Sequence, residues 1–128
     1  MSNGVKTKVY DLEERTAQFG EAIIEFAKKI PKNEITRPLI TQLVKSGTSI
    51  GANYCEADCA ESRKDFEHKL GICKKESKET KHWLRMISKA VPELRDEAKI
   101  LWKESNELQL IFITIIKKSK LNIKKSDN

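Results

Sequence analysis

The sequence has no apolar run that approaches the roughly 18–20 residues a membrane span requires. Its opening, MSNGVKTKVY, carries charge with no long apolar stretch behind it, so no secretory leader is expected. Cysteine is limited to Cys55, Cys59 and Cys73, an odd number at no disulfide-framework spacing, which suits reduced thiols in a cytoplasm. There is no glycine-rich phosphate loop, nucleophile elbow or metalloprotease motif. Period-two alternation is never sustained, and β-branched residues do not cluster between turn signals, which removes support for strands.

Histidine is scarce as well, and that bears on catalysis. Glu79 and His82 form a Glu-x-x-His pair, half of what a di-iron bundle places on two helices. The other histidine, His68, lies on the same predicted helix, about 21 Å from His82 along the axis, and cannot supply the second pair. Cys55 and Cys59 share a helix face, but two thiolates without further ligands make a poor zinc site. The expectation is therefore no metal, no cofactor and no enzyme activity.

What the sequence does have is periodicity. With 128 residues it fits one domain, and with 38% apolar residues its core must come from well-placed stripes. Asp11, paired with Glu14, starts a helix whose seam is Leu12, Thr16, Phe19, Ile23, Phe26 and Ile30, and Pro31 stops it. Thr36 is the expected cap of a second helix, with Pro38 tolerated in its first turn. Its seam is Ile40, Leu43, Gly47, Ile50, Tyr54 and Ala57. Gly47 and Gly51 each cost about 1 kcal/mol against alanine, and a closely approaching neighbour helix is the expected reason for them. Ser62 and Asp65 cap a third helix with the seam Phe66, Leu70, Cys73, Ser77, Thr80, Leu84 and Ile87. After Pro92 a fourth follows, with Leu94, Ala98, Leu101, Ser105, Leu108, Phe112 and Ile115. Four heptad-like helices joined by short links predict an all-α fold, an antiparallel up-down four-helix bundle. The prolines cut the chain too often for one long coiled coil. The expected division is a loose N-terminus over 1–10, the bundle over 11–118 and a basic, flexible tail over 119–128.

Residues of the second and third helices resemble a known family. Leu39, Gln42, Leu43, Ser46, Ser49-Ile50, Ala52-Asn53 and Glu56 carry the likeness, followed by Ser62, Lys64-Asp65-Phe66, Glu76, Glu79-Thr80 and Trp83-Leu84. Phe26, Pro31 and Glu34 extend it upstream. The pattern resembles the four-helix-bundle proteins encoded in intervening sequences of bacterial 23S ribosomal RNA genes. One departure is that the family often has Asn-Ile-Ala-Glu-Gly where this chain reads Asn53-Tyr54-Cys55-Glu56-Ala57. The resemblance implies a small cytoplasmic bundle that assembles into rings, often homopentamers, with no established catalysis. Related bundles are accessory proteins of diversity-generating retroelements, where they are basic and work with a reverse transcriptase and RNA.

The net charge of +6 is unevenly spread: residues 1–60 hold eight basic and eight acidic residues, and residues 61–128 hold seventeen and eleven. Projected at about 100° per residue, the third helix has three faces. Beside the core seam runs an all-basic stripe of Lys74, Lys78, Lys81, Arg85 and Lys89, either an anion-binding face or a solvated one. The tail lysines Lys117, Lys118, Lys120, Lys124 and Lys125 would add to it. The third face carries Ile72, Glu76, Glu79, Trp83 and Met86, an unusual set outside the seam that predicts an oligomer interface or a widened core. Asn53 and Glu56 are read as hydrogen-bonding between helices or subunits. The functional expectation is a non-enzymatic RNA-associated bundle. The alternatives are a retroelement accessory protein acting with a reverse transcriptase, or a protein-interaction scaffold without nucleic acid.

Overall fold

A computed structural model describes residues 11–127, with side chains described through residue 122. The loose segment expected over residues 1–10 lies outside it. Four helices follow one another: α1 (Leu12–Lys28), α2 (Thr36–Asp58), α3 (Arg63–Ala90) and α4 (Arg95–Asp127). A single 3-10 turn, Pro92–Leu94, leads into α4. Sequential helices pack side by side, α4 closes more lightly back onto α1, and α1 and α3 stand at diagonal corners. This is the antiparallel up-down four-helix bundle. Among the described residues no helix is long and apolar enough to cross a membrane.

The first three helices start where a side chain satisfies free backbone N–H groups. Asp11 accepts from the Glu14 N–H at 3.2 Å, and Ser62 accepts from the Asp65 N–H at 3.0 Å, as their spacing predicts. The start of α2 differs from expectation. Asn33, not Thr36, is the capping side chain: its Oδ1 accepts from the N–H groups of Ile35 and Thr36, both at 2.9 Å. Thr36 is already helical and buried, and its hydroxyl donates to the Pro31 carbonyl, tying the α1–α2 link together. The link needs a residue that accepts two N–H groups at once, which the short carboxamide oxygen does.

All the seam positions are buried or half-buried. Ile23, Leu43, Ile50, Leu70, Ile87, Leu108 and Phe112 have no exposure, and each contributes roughly 1.5–3 kcal/mol by burial. The helix runs straight through Gly47 and Gly51, and the reason is contact with α1. A Cβ on Gly47 would lie 2.9 Å from Ile23 side-chain carbons, and one on Gly51 would lie 3.3 Å from the Thr16 hydroxyl. A band of small hydroxyls lets the other helices close in: Thr80 donates to Ser46 at 3.0 Å, and Ser105 donates to the Ser77 carbonyl at 2.8 Å. Among the described residues no buried side-chain polar atom lacks a partner.

Two boundaries are informative. Ala57, standing where the resembling family often has glycine, is buried within α2. No described residue takes a positive φ, so the α2–α3 turn is built without a left-handed residue. α4 carries helical backbone to Asp127, past the boundary expected at residue 118. Ser119 donates to Glu67, and Arg63 donates to the Ser119 carbonyl at 3.2 Å, so α3 holds α4 just beyond that boundary.

Candidate nucleic-acid interface

The basic stripe of α3 lies on the side of the helix that meets α4, and this divides its members. Lys74, Lys78, Arg85 and Lys89 are exposed. Lys81 is half-buried: its ammonium donates to Asn106 Oδ1 at 2.8 Å and stands 4.9 Å from the centroid of the Trp102 ring. Burial lowers the pKa of Lys81 below the ordinary lysine value, and the neighbouring charge of Lys78 adds to the effect. Lys81 thus ties α3 to α4, and its four companions are the cations turned to solvent.

α4 supplies an opposite wall that the sequence reading did not single out. Arg95, Lys99 and Trp102, with Leu84, Arg85, Ser88 and Ala98, line a groove of about 300 Å³ between the two helices. The signal was present: Arg95, Lys99 and Trp102 recur at helical spacing, and the short α3–α4 link places them beside the stripe. The five ion pairs of the described residues draw their cations from Arg15, Lys28, Lys29 and Lys69, none of them on this surface. α1, at the diagonal corner from α3, exposes Glu13, Glu14, Glu21 and Glu25 instead. Among the described residues the α3–α4 surface therefore gathers exposed cations outside any ion pair, while Lys32, Arg37 and Lys45 stand singly on the other side of the bundle.

The tail lysines are set apart from this groove. Lys117, Lys118 and Lys120 are exposed on α4, but Lys117 stands eighteen residues, about 27 Å, beyond Lys99 along the axis. Lys118 lines a different hollow of about 610 Å³ at the α2–α3 turn, beside Asp58 and Glu61. The side chains of Lys124 and Lys125 lie outside those described.

The third face of α3 is only partly open. Ile72, Glu76, Trp83 and Met86 are half-buried and Glu79 is exposed. Trp83 packs against the core cluster and meets the His82 ring edge-on, with centroids 4.8 Å apart. Burial raises the pKa of the Glu76 carboxyl, the nearby Glu79 raises it further, and Lys75 and Lys45 partly offset this. More exposed apolar side chains occur elsewhere: Ile100, Leu110 and Leu121 on α4, and Ile35 before α2.

The remaining candidates resolve into structural contacts. Glu56 accepts from Lys69 of α3 at 2.5 Å, the inter-helix bond expected of it. Asn53 instead donates to the Ser49 carbonyl of its own helix at 2.9 Å. Cys55 and Cys59 are exposed, and Cys73 is buried with its thiol against the Ile50 carbonyl. Among the described residues, no three His, Cys, Asp or Glu side chains are grouped to hold a metal ion.

Comparison with known proteins is consistent with this architecture. No curated protein matches the chain. Among solved structures, a protein of unknown function from the S23 ribosomal protein family of Bacteroides thetaiotaomicron superposes with a TM-score of 0.75. The two are 33% identical, and the match covers 82% of this chain and 97% of that one. The profile of the 23S rRNA-intervening sequence proteins matches residues 8–114, nearly the whole bundle. The chain belongs to the 23S rRNA-intervening sequence protein family.

Proposed function

We propose that the protein is a non-enzymatic, RNA-associated bundle that works in the cytoplasm as a homo-oligomeric ring, a homopentamer in keeping with the resemblance. The observation that carries this is the unpaired basic surface of Lys74, Lys78, Arg85 and Lys89 on α3 with Arg95 and Lys99 on α4. A polyanion neutralises such a surface and releases its own counterions, which favours binding without any base-specific contact. Repeated around a ring, the surface multiplies modest contacts when one RNA spans several copies. In a retroelement the same surface would meet RNA held by a reverse transcriptase. The partly desolvated Glu76 and the half-buried Trp83, about two turns further along the same face, support self-association, since a neighbour's cation would relieve the carboxylate.

Fluorescence anisotropy with a structured RNA tests the RNA reading. Affinity should fall steeply as salt rises, and Lys78→Glu with Arg85→Glu should weaken binding and flatten the slope. These two are preferred to Lys81, whose reversal would also break the Asn106 bond. Absence of binding at low salt, or binding that survives the reversal unchanged, would leave the protein-scaffold reading in its place.

A further inference from the structure

We infer that the groove between α3 and α4 is a subsite for one unpaired RNA nucleotide, its base stacked against Trp102 and its phosphates held by Arg85, Arg95 and Lys99. The inference rests on the RNA reading above and sharpens it from a charged face to a built pocket.

Three features of the groove converge. Its floor is apolar, formed by Leu84 and Ala98, and its rim carries three cations with no acid among its lining residues. An apolar ligand would leave those cations without use, and a simple anion would leave the floor and ring without use. A nucleotide satisfies both, since a base has a π-face and its phosphates are anionic. Trp102 is the second feature. It is 39% exposed although α3 and α4 pack closely beside it, so the bundle leaves much of a large aromatic surface open at the groove's end. Lys81, bonded to Asn106, stands over the ring 4.9 Å from its centroid, and the packed part of the indole holds it in place while the base takes the part left exposed. A ring already held in place loses little freedom when a base stacks on it. Third, two of the three rim cations are arginines, whose planar forks take phosphate oxygens two at a time and also stack on bases.

The dimensions favour an unpaired nucleotide over a duplex. A volume of about 300 Å³ is at the small end of ligand sites, and a stacking surface is reached only by a base freed from its own stack. The exposed Lys74 and Lys78 continue the basic wall along α3 from Arg85, so a strand leaving the subsite still meets cations.

The test uses the full-length chain carrying Trp83→Phe, so that Trp102 is the sole indole. It is titrated at low salt with a dye-labelled single-stranded oligoribonucleotide and, separately, with a duplex of equal length. Dye anisotropy reads binding, and indole emission reads stacking. The single strand should quench Trp102. Trp102→Leu should weaken single-strand binding roughly 5- to 100-fold while changing duplex binding less than about twofold. Trp102→Phe, which keeps a smaller ring, should fall between. Binding without quenching, or single-strand affinity indifferent to Trp102→Leu, overturns the subsite and leaves the RNA reading standing. An equal loss for strand and duplex also overturns it, because it marks a general disturbance of the surface. No anisotropy change with either RNA overturns the subsite and the RNA reading together.

Discussion

Gly47 and Ile23 meet with no room between them: a Cβ on Gly47 would stand 2.9 Å from two carbons of the Ile23 side chain. Both are buried, so neither can move aside freely. A glycine that weakens α2 as an isolated helix is what lets α1 and α2 pack along their length. Gly51 repeats the arrangement against Thr16, with slightly more space.

Gly47→Ala is therefore expected to destabilise the bundle by about 1–2 kcal/mol, since overpacking outweighs the gain of about 1 kcal/mol in helix propensity. Gly51→Ala should be close to neutral. Urea unfolding followed by circular dichroism reads both. Ile23→Ala removes the obstructing carbons, so its cost and that of Gly47→Ala should be less than additive.

Arg15 is one of the ties between α1 and α4; among the described residues, Lys29–Glu97 is the other ion pair across them. The Arg15 guanidinium donates to both oxygens of Glu104, at 2.8 and 2.9 Å, and to Glu107 at 2.8 Å. The Glu104 bonds raise its pKa above the ordinary arginine value, against burial that lowers it. Arg15→Ala should cost about 1–2 kcal/mol and Arg15→Lys part of that, because an ammonium cannot reproduce the fork. Thermal melts at low and high salt should show the wild-type advantage shrinking with salt.

Burial pushes the Cys73 thiol up to about 12, from an ordinary value near 9. Folding thus holds on to a proton that the unfolded chain gives up. This group's contribution to stability is complete below about pH 9 and is lost progressively as pH rises towards about 12. Cys73→Ala should flatten that alkaline decline in chemical unfolding. In the native protein at pH 8, a thiol reagent should label Cys55 and Cys59 and reach Cys73 only after unfolding, as mass spectrometry would show.

Self-association through the third face of α3 gives a fourth prediction. Light scattering should show a closed oligomer at micromolar concentration, and Trp83→Glu should dissociate it. Because Trp83 also borders the core, some loss of bundle stability should accompany the change; Glu79→Arg, at the exposed position of the same face, should weaken assembly while leaving the helical signal. Glu76→Gln separates two situations. In a lone chain it removes a desolvated charge and should raise stability at neutral pH; in a ring where a neighbour's cation meets Glu76, it should weaken assembly. A monomeric wild type would remove the ring from the account.

The fold was legible because heptad spacing, capping residues and prolines all pointed one way. Even the polar seam residues Ser77, Thr80 and Ser105 lie where the period puts them. The cap at Asn33 was missed because its bonds arise from a turn whose path no period encodes. The stripe on α3 could be read from one helix alone. Its division into the anchored Lys81 and four exposed cations could not, since that depends on Asn106 and Trp102 arriving from α4. The same holds for Trp83, which a single-helix projection places off the seam and which the bundle uses as an edge of its core.

The most direct test of the central claim is where RNA lies on the bundle. Ultraviolet cross-linking of the wild-type protein to a uridine-containing RNA, followed by mass spectrometry of the adducted peptides, reads this without any substitution. The account predicts adducts concentrated between Lys74 and Lys89 on α3 and between Arg95 and Trp102 on α4, suppressed by moderate salt. Adducts confined to α1, to α2 or to the lysines after residue 116, with none on those two segments, would contradict it.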